Sequence, residues 1–412
     1  MKVVIVGAGQ GGFQLAASLR KDGFEGHITL VGEEVGLPYQ RPPLSKKFLK
    51  DGNDSKLLLR PASFYERNRI NLRSDTLVRA IHRSEKCIET SDGDHIPYDH
   101  LVLATGTKPE IPPVTNLERP GIFYLRTLAD AQIIRQKMAT CQRALVIGGG
   151  FIGLEFAAIA ASLGMQVTLV EGAEHLMARA VSEKTARKFL EAHINMGTEV
   201  ILNDLASEVT ENHDGSLRGL RLSSGRHLTG DMILVATGVA PNVSLAKDAG
   251  LSIENGVLVD RTLTTSDPSI SALGDCAAFP DPQSGNLIRL ESVQAATDHA
   301  RHISRNLTAS LANYNALPWF WSDQGALKLQ IAGIGADSDN DIMLERENGV
   351  STFCFCGESL KAVESINSPG DHMAARRLLS SHDKVSKSLL QKHDFSLKET
   401  LQYLDTNAGD LG

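Results

Sequence analysis

The sequence predicts an α/β fold with two Rossmann-like dinucleotide-binding domains and a small C-terminal α+β domain. Three observations predict it. A strand, a glycine-rich turn and a helix open the chain, the same arrangement returns near residue 148, and the pattern changes again after Leu317. Strands that alternate with helices in this way are typical of parallel sheets covered by helices.

The first glycine-rich turn follows the apolar run Lys2–Val6 and precedes a helical run, Phe13–Leu19. In such a turn the first glycine, Gly7, permits the tight bend, Gly9 lets the backbone approach a pyrophosphate, and Gly12 lets the helix pack against the strand. The N-terminus of the helix offers free N–H groups to the phosphates. The order of strand, turn and helix therefore favours a dinucleotide site over an unliganded turn.

An acidic residue follows the next strand, where a dinucleotide site needs one. His27–Val31 reads as that strand, and Glu33 lies two residues beyond its end. A carboxylate at this place can accept hydrogen bonds from both hydroxyls of an adenosine ribose. A later buried strand ends in Ala104-Thr105-Gly106.

The second half repeats these features. The strand Ala144–Ile147 enters Gly148–Gly153, and Glu171 follows the next strand. A second Ala-Thr-Gly ends at Gly238. Two coincidental turns would not each carry a carboxylate and an Ala-Thr-Gly, so we expect two dinucleotide sites. One dinucleotide would stay bound and the other would exchange, and hydride transfer would join them.

Bulk composition excludes several classes of function. The chain has 412 residues, 42% apolar residues and a net charge of −7. This composition is typical of a globular protein, and the acidic balance disfavours general nucleic-acid binding. No stretch is long enough to span a membrane. The five cysteines show no CxxC or metal-ligand spacing, and an unpaired, scattered set suits a reducing cytoplasm.

A proline-stiffened segment follows Glu33. Residues 34–46 read as neither helix nor strand, and Pro42 and Pro43 restrict the backbone there. Arg41 and Lys46 lie in the same segment. It could close over a bound ligand, or it could be a surface loop with solvated cations; both interpretations remain open at this stage.

The C-terminal third contains a return to the first domain and then a new domain. Asp275 follows an apolar strand, at the edge where α/β sheets bind ligands, and 291–306 reads as a helix that begins near Ser292. Beyond Leu317, strand-like runs at 326–332, 352–356 and 362–366 precede a helix. We expect Cys354 and Cys356 to share one packing face. The predicted domains are 1–112 with 244–316, then 113–243, then 317–412.

Together these motifs resemble one family. The two glycine turns, the two Ala-Thr-Gly strands, the Leu-Pro-Tyr-Gln-Arg-Pro-Pro-Leu-Ser-Lys segment, Ala-Leu-Gly-Asp and Trp-Phe-Trp-Ser-Asp-Gln occur in this order over nearly the whole chain. The chain resembles the FAD-dependent NADH:ferredoxin reductases of the putidaredoxin reductase type. These disulfide-reductase-like flavoproteins pass electrons one at a time to a [2Fe-2S] ferredoxin that serves a cytochrome P450 or a ring-hydroxylating dioxygenase.

The resemblance implies residue roles. FAD would lie in residues 1–112 and 244–316, bound by Gly7, Gly9, Gly11, Gly12, Glu33, Arg41, Lys46, Val78, Arg126, Asp275 and Val293. NADH would lie in residues 113–243, bound by Gly148, Gly150, Ile152, Gly153 and Glu171. Further cofactor-binding residues would be Ala104, Thr105, Gly106, Gly238, Gly274 and Trp321. Lys46 and Glu155 would form the catalytic pair near the flavin and the nicotinamide.

Several alternatives accompany this interpretation. The Lys46–Glu155 pair could be a structural ion pair without effect on rate, and Trp319 and Trp321 could serve mainly as packing anchors. Glu171 should repel a 2′-phosphate and so favour NADH over NADPH, although Arg179 follows nearby. The absence of cysteine from 34–46 disfavours disulfide reductases and peroxidases. Rubredoxin reductase and a non-catalytic NADH-sensing flavoprotein remain as rivals.

Overall fold

A computed structural model describes residues 1–335, 338–347, 349–381 and 385–407. The chain forms two compact units, each made from three stretches of sequence. The first contains Met1–Arg41, Asn53–Lys108 and Val239–Ala316, and the second contains Pro42–Gly52, Pro109–Gly238 and Leu317–Gly412. The short stretch Pro42–Gly52 therefore belongs to the second unit, although its flanks belong to the first. Residues 408–412 of the expected C-terminal domain lie outside the described residues.

The first quarter of the chain alternates between strands and short helices. Its elements are β1 (Lys2–Val6), α1 (Gln10–Lys21), β2 (His27–Val31), α2 (Lys47–Asp51), α3 (Ala62–Arg67), β3 (Ile70–Arg73), β4 (Val78–His82), β5 (Cys87–Thr90), β6 (His95–Pro97), β7 (His100–Leu103) and β8 (Thr107–Pro109). Residues Pro42–Ser45 form a 3-10 turn. The sequence predicted neither helix nor strand for residues 34–46, and this was wrong for these four residues. The φ angle that proline fixes is compatible with the first turn of a helix.

The second quarter repeats the strand and helix order of the first. It contains β9 (Ile122–Tyr124), α4 (Leu128–Met138), β10 (Arg143–Ile147), α5 (Phe151–Ser162), β11 (Gln166–Val170), α6 (Glu183–Asn195), β12 (Thr198–Ile201), β13 (Ala206–Glu211), β14 (Leu217–Leu222), β15 (His227–Thr229) and β16 (Met232–Val235).

The third quarter returns to the first unit. It contains β17 (Val239–Pro241), α7 (Ser244–Asp248), β18 (Ile253–Glu254), β19 (Gly256–Leu258), β20 (Ile270–Ala272), β21 (Ala277–Pro280), β22 (Leu287–Ile288) and α8 (Val293–Thr308). The helix predicted over 291–306 is confirmed as α8. Ser292 caps it by accepting a hydrogen bond from the Ala295 N–H at 3.0 Å.

The last part forms an antiparallel sheet with helices. It contains β23 (Trp319–Gln324), β24 (Leu327–Gly333), β25 (Asn340–Arg346), β26 (Gly349–Cys356), β27 (Ser359–Ile366), α9 (Pro369–Ser381), α10 (Lys387–Lys392) and α11 (Leu397–Asn407). Its five strands lie in the order β23-β24-β27-β26-β25. β23 and β25 had no sequence prediction.

The sheet of the first unit is parallel and has the order β20-β7-β1-β2-β3. Val3 to Val6 of β1 are buried throughout, as are Leu101 to Leu103 of β7. This unbroken burial is expected when both faces of a parallel sheet are covered. Because β1 is central, its carboxyl end places the first glycine turn at the middle of the sheet edge.

The second unit contains an equivalent parallel sheet, ordered β12-β11-β10-β16-β9, with β10 in the position of β1. Leu145 and Ile147 of β10 pack with Ile233 and Val235 of β16 in one buried cluster. The predicted class, two Rossmann-like domains with a C-terminal α+β domain, is therefore confirmed.

One packing prediction in the C-terminal sheet was wrong. Cys354 is completely buried, whereas Cys356 is exposed. The pairing of β26 with β27 shifts between Cys354 and Phe355, which marks a β-bulge. The additional residue is Lys361 of β27, so β26 itself keeps its alternation, and the exposed Cys356 is the last residue of β26, where the strand ends.

Candidate functional site

In the first glycine turn, Gly7 and Gly12 leave no space for a side chain, whereas Gly9 does. Gly7 has φ +112°, and a Cβ there would lie 2.1 Å from the Ala104 carbonyl oxygen. At Gly12 a Cβ would lie 1.9 Å from the Gly7 carbonyl oxygen. Gly9 has an ordinary φ of −75°, and a Cβ there would meet no atom within 4 Å. Gly7 and Gly12 are thus required by the fold, whereas no contact with the residues that the structure describes requires Gly9 to be glycine.

The second turn has the same division of roles. Gly148 has φ +105°, and its Cβ would lie 2.4 Å from the Ala236 carbonyl oxygen. At Gly153 a Cβ would lie 2.2 Å from the Gly148 carbonyl oxygen, and at Gly150 it would meet nothing within 4 Å. The equivalence of Gly9 and Gly150 points to one ligand chemistry at both turns, because close approach of an external group explains a glycine that the fold does not need.

The helices behind the two turns lack side-chain caps. Thr127, Ser182 and Ser292 accept N–H hydrogen bonds at the starts of α4, α6 and α8. Gly9 and Gly150 occupy the same position at α1 and α5, and neither has a side chain to offer. The first N–H groups of a helix need an acceptor, and phosphate oxygens supply one together with favourable charge. Both turns therefore fit a pyrophosphate.

The two acidic residues differ in their surroundings. Glu33 is exposed beyond β2. Glu171 is half-buried beyond β11, and its carboxylate accepts the Gly149 N–H at 2.6 Å and the Ala173 N–H at 2.8 Å. A carboxylate has about four acceptor positions, so Glu171 keeps capacity for ribose hydroxyls while the backbone fixes its orientation.

Several other predicted residues of the first unit lie at its carboxyl sheet edge. The Thr105 hydroxyl donates to the Asn242 carbonyl at 2.8 Å, and the Asn242 N–H donates to the Gly106 carbonyl at 2.9 Å. The Thr107 hydroxyl donates to the Asp275 carboxylate at 3.4 Å. The first two bonds join the segment after β7 to the segment after β17, and the third holds Asp275, which follows β20, beside Thr107.

A buried histidine orders the turn that carries Asp275. Gly274 has φ +70°, and its N–H donates to Nδ1 of His299 at 3.2 Å. His299 is fully buried on α8, and burial lowers its pKa to about 3. The ring is consequently neutral and able to accept this bond. Val293, the first residue of α8, is half-buried.

Three predicted FAD residues make contacts within the chain itself. A Cβ on Gly11 would lie 2.4 Å from Leu273 and 3.4 Å from Ala296, so Gly11 packs α1 against α8. Val78 is buried at the start of β4. Arg41 forms an ion pair with Glu34.

The remaining predicted residues of the second unit lie around its glycine turn. Ile152 is half-buried in the first turn of α5. Gly238 has φ +124°, and a Cβ there would lie 3.0 Å from the Arg179 guanidinium and 3.4 Å from the Glu110 carboxylate. The Arg126 N–H donates to the Asp130 carboxylate at 3.0 Å, before α4 begins.

The predicted pair Lys46–Glu155 is present within the second unit. Lys46 Nζ lies 3.1 Å from Oε1 of Glu155, and the side chains are 17% and 6% exposed. Two hydroxyls also donate to this carboxylate, Ser45 at 2.5 Å and Ser322 at 2.6 Å. Burial raises the pKa of Glu155, and Lys46 with the two serines opposes that rise. Desolvation is the largest of these effects, so the pKa of Glu155 stays raised, while the ammonium and the two hydroxyls each favour the carboxylate form.

The hydrogen bonds continue behind Ser322. Gln324 Nε2 donates to the Ser322 hydroxyl at 3.2 Å, and Gln324 Oε1 lies 3.0 Å from Nε2 of His193. Sequence reasoning missed Ser45, Ser322, Gln324 and His193. The signal available for the first two was the position of Ser45 next to Lys46 and of Ser322 inside Trp-Phe-Trp-Ser-Asp-Gln.

The tryptophans form an aromatic group on β23. The rings of Trp319 and Trp321 lie 5.5 Å apart, and the Arg376 guanidinium lies 4.3 Å from the centre of Trp319. Phe320, on the opposite face, lies 4.4 Å from Phe151 of α5. These contacts agree with a packing role for Trp319. Trp321 is half-buried.

Two general findings complete the description of the sites. Within the described ranges, no group of three or more His, Cys, Asp or Glu side chains is placed to hold a metal ion. None of the helices in that same part of the chain is both long and apolar enough to cross a membrane.

Comparison with known proteins identifies the family. Residues 1–300 match the pyridine nucleotide-disulphide oxidoreductase family, and 319–401 match the reductase C-terminal family. Rhodocoxin reductase of Rhodococcus erythropolis is 43% identical, over 100% of this chain and 97% of its own length. A rubredoxin-NAD(+) reductase of Pseudomonas putida is 36% identical, over 90% of this chain and 96% of its own.

A solved structure agrees with these relatives. The ferredoxin reductase for the CYP199A2 system from Rhodopseudomonas palustris has a TM-score of 0.94 and 40% identity, and the match covers 97% of this chain and 99% of that one. The chain therefore belongs to the pyridine nucleotide-disulphide oxidoreductase family, among the ferredoxin reductases that its sequence predicted.

Proposed function

We propose that the protein is an NADH-dependent flavoprotein reductase that passes electrons from NADH through FAD, one at a time, to a [2Fe-2S] ferredoxin. The ferredoxin would in turn serve a cytochrome P450 or an aromatic-ring dioxygenase. The observation that carries the proposal is the pair of equivalent turns, in which Gly9 and Gly150 leave room for an external group beside an uncapped helix start.

The chain supplies two chemically suited binding regions. FAD would take residues 1–112 and 244–316, with its pyrophosphate on the α1 turn and its ribose on Glu33. NADH would take residues 113–243, with its pyrophosphate on the α5 turn and its ribose on Glu171, and residues 317–412 would form the α+β domain. When bound, FAD supplies the conversion from two-electron hydride acceptance to single-electron release.

The protein's own part in this reaction is electrostatic. Lys46 and Glu155 form a buried ion pair, and the Ser45 and Ser322 hydroxyls fix its carboxylate. Preorganised charges in a water-poor site stabilise changes of charge without the cost of reorienting solvent. We propose that this pair assists hydride transfer. In the first unit, the capped α8 presents the positive end of its dipole at Val293, which would favour an anionic reduced ring.

The relatives support the acceptor class. They include a ferredoxin reductase, a rhodocoxin reductase and a rubredoxin-NAD(+) reductase. The match with the ferredoxin reductase structure has the higher identity and covers more of this chain than the match with the rubredoxin reductase. We therefore place a ferredoxin first and a rubredoxin second. The five unpaired cysteines favour action in the cytoplasm.

Anaerobic titration of the purified yellow protein with NADH tests the proposal. NADH should bleach the flavin absorbance, and cytochrome c reduction should then require an added [2Fe-2S] ferredoxin. A rubredoxin that replaces the ferredoxin with equal efficiency would favour the second acceptor. Slow turnover with every acceptor would indicate an NADH sensor. Protein that is colourless and takes up no FAD would refute the proposal.

An acidic ferredoxin would need a locally basic face. Arg301 and Arg305 are exposed one turn apart on α8, and Arg301 lies 3.6 Å from Asp298; Lys328 is also exposed. We propose that these three cations contribute to docking. Arg301→Glu should raise the KM for ferredoxin several-fold and leave ferricyanide reduction unchanged. Arg187→Glu is the matched control, because Arg187 is exposed and also pairs with a carboxylate on its own helix. Equal loss of both activities would contradict docking.

A further inference from the structure

The hydrogen bonds that link His193, Gln324 and Ser322 to Glu155 all donate toward the Glu155 carboxylate. Gln324 Nε2 faces the Ser322 hydroxyl at 3.2 Å and the Met177 sulfur at 3.5 Å, both of which can accept. Gln324 Oε1 is then the acceptor for His193, at 3.0 Å. Ser322 uses its lone pair on Gln324 and its proton on Glu155, at 2.6 Å. Each link donates toward the carboxylate.

These hydrogen-bonded side chains lie away from bulk solvent. Ser322, Gln324 and His193 are completely buried, and the Glu155 side chain is 6% exposed. Burial lowers the pKa of His193, so the ring is neutral, and the bond to Gln324 fixes its proton on Nε2. A serine hydroxyl can rotate and either donate or accept. Gln324 removes this freedom, because it occupies the acceptor side of Ser322.

The remaining partners of Glu155 come from the turn before α2. They are the Lys46 ammonium at 3.1 Å and the Ser45 hydroxyl at 2.5 Å. Lys46 shares Oε1 with Ser322, whereas Ser45 takes Oε2. Both carboxylate oxygens are thereby fixed, from two different segments of the chain. Linked hydrogen bonds polarise one another in a low-dielectric interior.

We propose that Gln324 and His193 are positioning residues that keep Ser322 donating to Glu155, and that this holds the carboxylate ionised and paired with Lys46 for hydride transfer. This inference rests on the proposed function for its kinetic consequence only. The ionisation of Glu155 is a property of the chain and can be measured without turnover.

Infrared difference spectroscopy with isotope-labelled glutamate reads that ionisation directly. The band of a protonated Glu155 is identified by its loss when Glu155→Gln is added. At neutral pH the unaltered protein should lack this band. Gln324→Leu, in which the side chain has a similar volume, should show it. Hydride transfer from NADH, measured in single turnover, should slow about tenfold to a hundredfold in Ser322→Ala, because a hydrogen bond to a charged group contributes about 1.5–3 kcal/mol. Ser322→Thr retains the hydroxyl, so it should lack the Glu155 band and should transfer hydride at the rate of the unaltered protein.

A matched control separates positioning from simple destabilisation. Thr352 and Thr185 are also completely buried, and their hydroxyls lie 2.9 Å apart between β26 and α6. Thr352→Val removes one buried hydroxyl of the second unit and should lower the melting temperature without adding the band or slowing hydride transfer.

The outcomes distinguish this inference from the proposed function. If the unaltered protein is not reduced by NADH, the function fails, while the infrared result still decides the state of Glu155. If Gln324→Leu does not fold, His193→Phe removes the first donor and should give a weaker band of the same kind. Absence of the band in every folded variant, or an equal band in Thr352→Val, would overturn the inference.

Discussion

Alanine at Gly9 and at Gly150 should separate ligand binding from folding. Both positions have extended backbone that alanine adopts without strain, with φ −75° and −80°, and a Cβ at either would meet no atom of the chain within 4 Å. Replacing glycine by alanine at a compatible position stabilises a protein by about 0.4–1 kcal/mol through the unfolded state. Alanine is a poorer N-cap than glycine by a comparable amount. The two effects nearly cancel, so the free energy of unfolding without ligand should change by less than about 1 kcal/mol.

Ligand binding should respond differently. A methyl group forced into a close contact costs about 1–3 kcal/mol, which corresponds to roughly a 5- to 150-fold loss of affinity. Gly9→Ala should weaken FAD and leave the second turn intact. Gly150→Ala should weaken NADH and leave the protein yellow. Each variant is thus the control for the other.

The assay needs two measurements on each variant. Chemical denaturation of the FAD-free protein gives the free energy of unfolding, and flavin fluorescence with NADH titration of the reloaded protein gives both affinities. Equal loss of FAD and NADH affinity in both variants would refute separate sites. Strong destabilisation of the FAD-free protein by either alanine would refute the assignment of open space above these glycines.

Three further predictions follow from the same contacts. Gly12→Ala and Gly153→Ala should destabilise the FAD-free protein by about 1–3 kcal/mol or more, because each Cβ would lie within 2.2 Å of a carbonyl oxygen; denaturation midpoints equal to those of Gly9→Ala would contradict this. Lys46→Met should raise the pKa of Glu155 further. The folded protein then binds a proton that the unfolded chain has released, so its stability should fall as the pH rises above about 4.5. The double variant Lys46→Met with Glu155→Gln should lose this dependence on pH, and a dependence that persists would exclude Glu155 as its source. The pKa of the buried, neutral His299 is lowered to about 3, so His299 should cost about 2 kcal/mol of stability at pH 5, because the unfolded chain takes up a proton below pH 6.5 and the folded chain does not. His299→Gln keeps an acceptor for the Gly274 N–H and should flatten the dependence of the melting temperature on pH in this range. An unchanged dependence would count against a neutral His299 as its source.

The parallel sheets and their glycine turns were readable from the sequence because their causes are local. An apolar run, a glycine that must have positive φ and a helix start lie within about a dozen residues, and the physical demands on Gly7 and Gly148 are set by neighbours in the same unit. The β-bulge at Cys354 was not readable, since it arises from the pairing of two strands rather than from the residues of one.

The candidate ion pair shows a different limit. The family resemblance suggested Lys46 and Glu155, but no periodicity joins them, and the hydrogen bonds that reach Glu155 through Ser322 of β23 begin at His193 of α6. A buried serine, glutamine and histidine read as ordinary polar residues in a sequence. Only the fold reveals that their hydrogen bonds share a direction and end on one carboxylate.

The likeness of the two turns also limits what could explain the proposed retention of FAD and the proposed exchange of NADH. Gly9 and Gly150 offer the same space and the same uncapped helix start, so these turns cannot make one ligand permanent. The surrounding edges differ. In the first unit Asp275 lies at the sheet rim and α8 packs on α1 through Gly11, which adds a second helix start to the region. In the second unit β9 takes the position of β20, and the turn after β16, at Gly238, faces Arg179 and Glu110. We infer that retention derives from β20 and α8, and the inference requires that the yellow colour survive gel filtration in the same step that removes NADH.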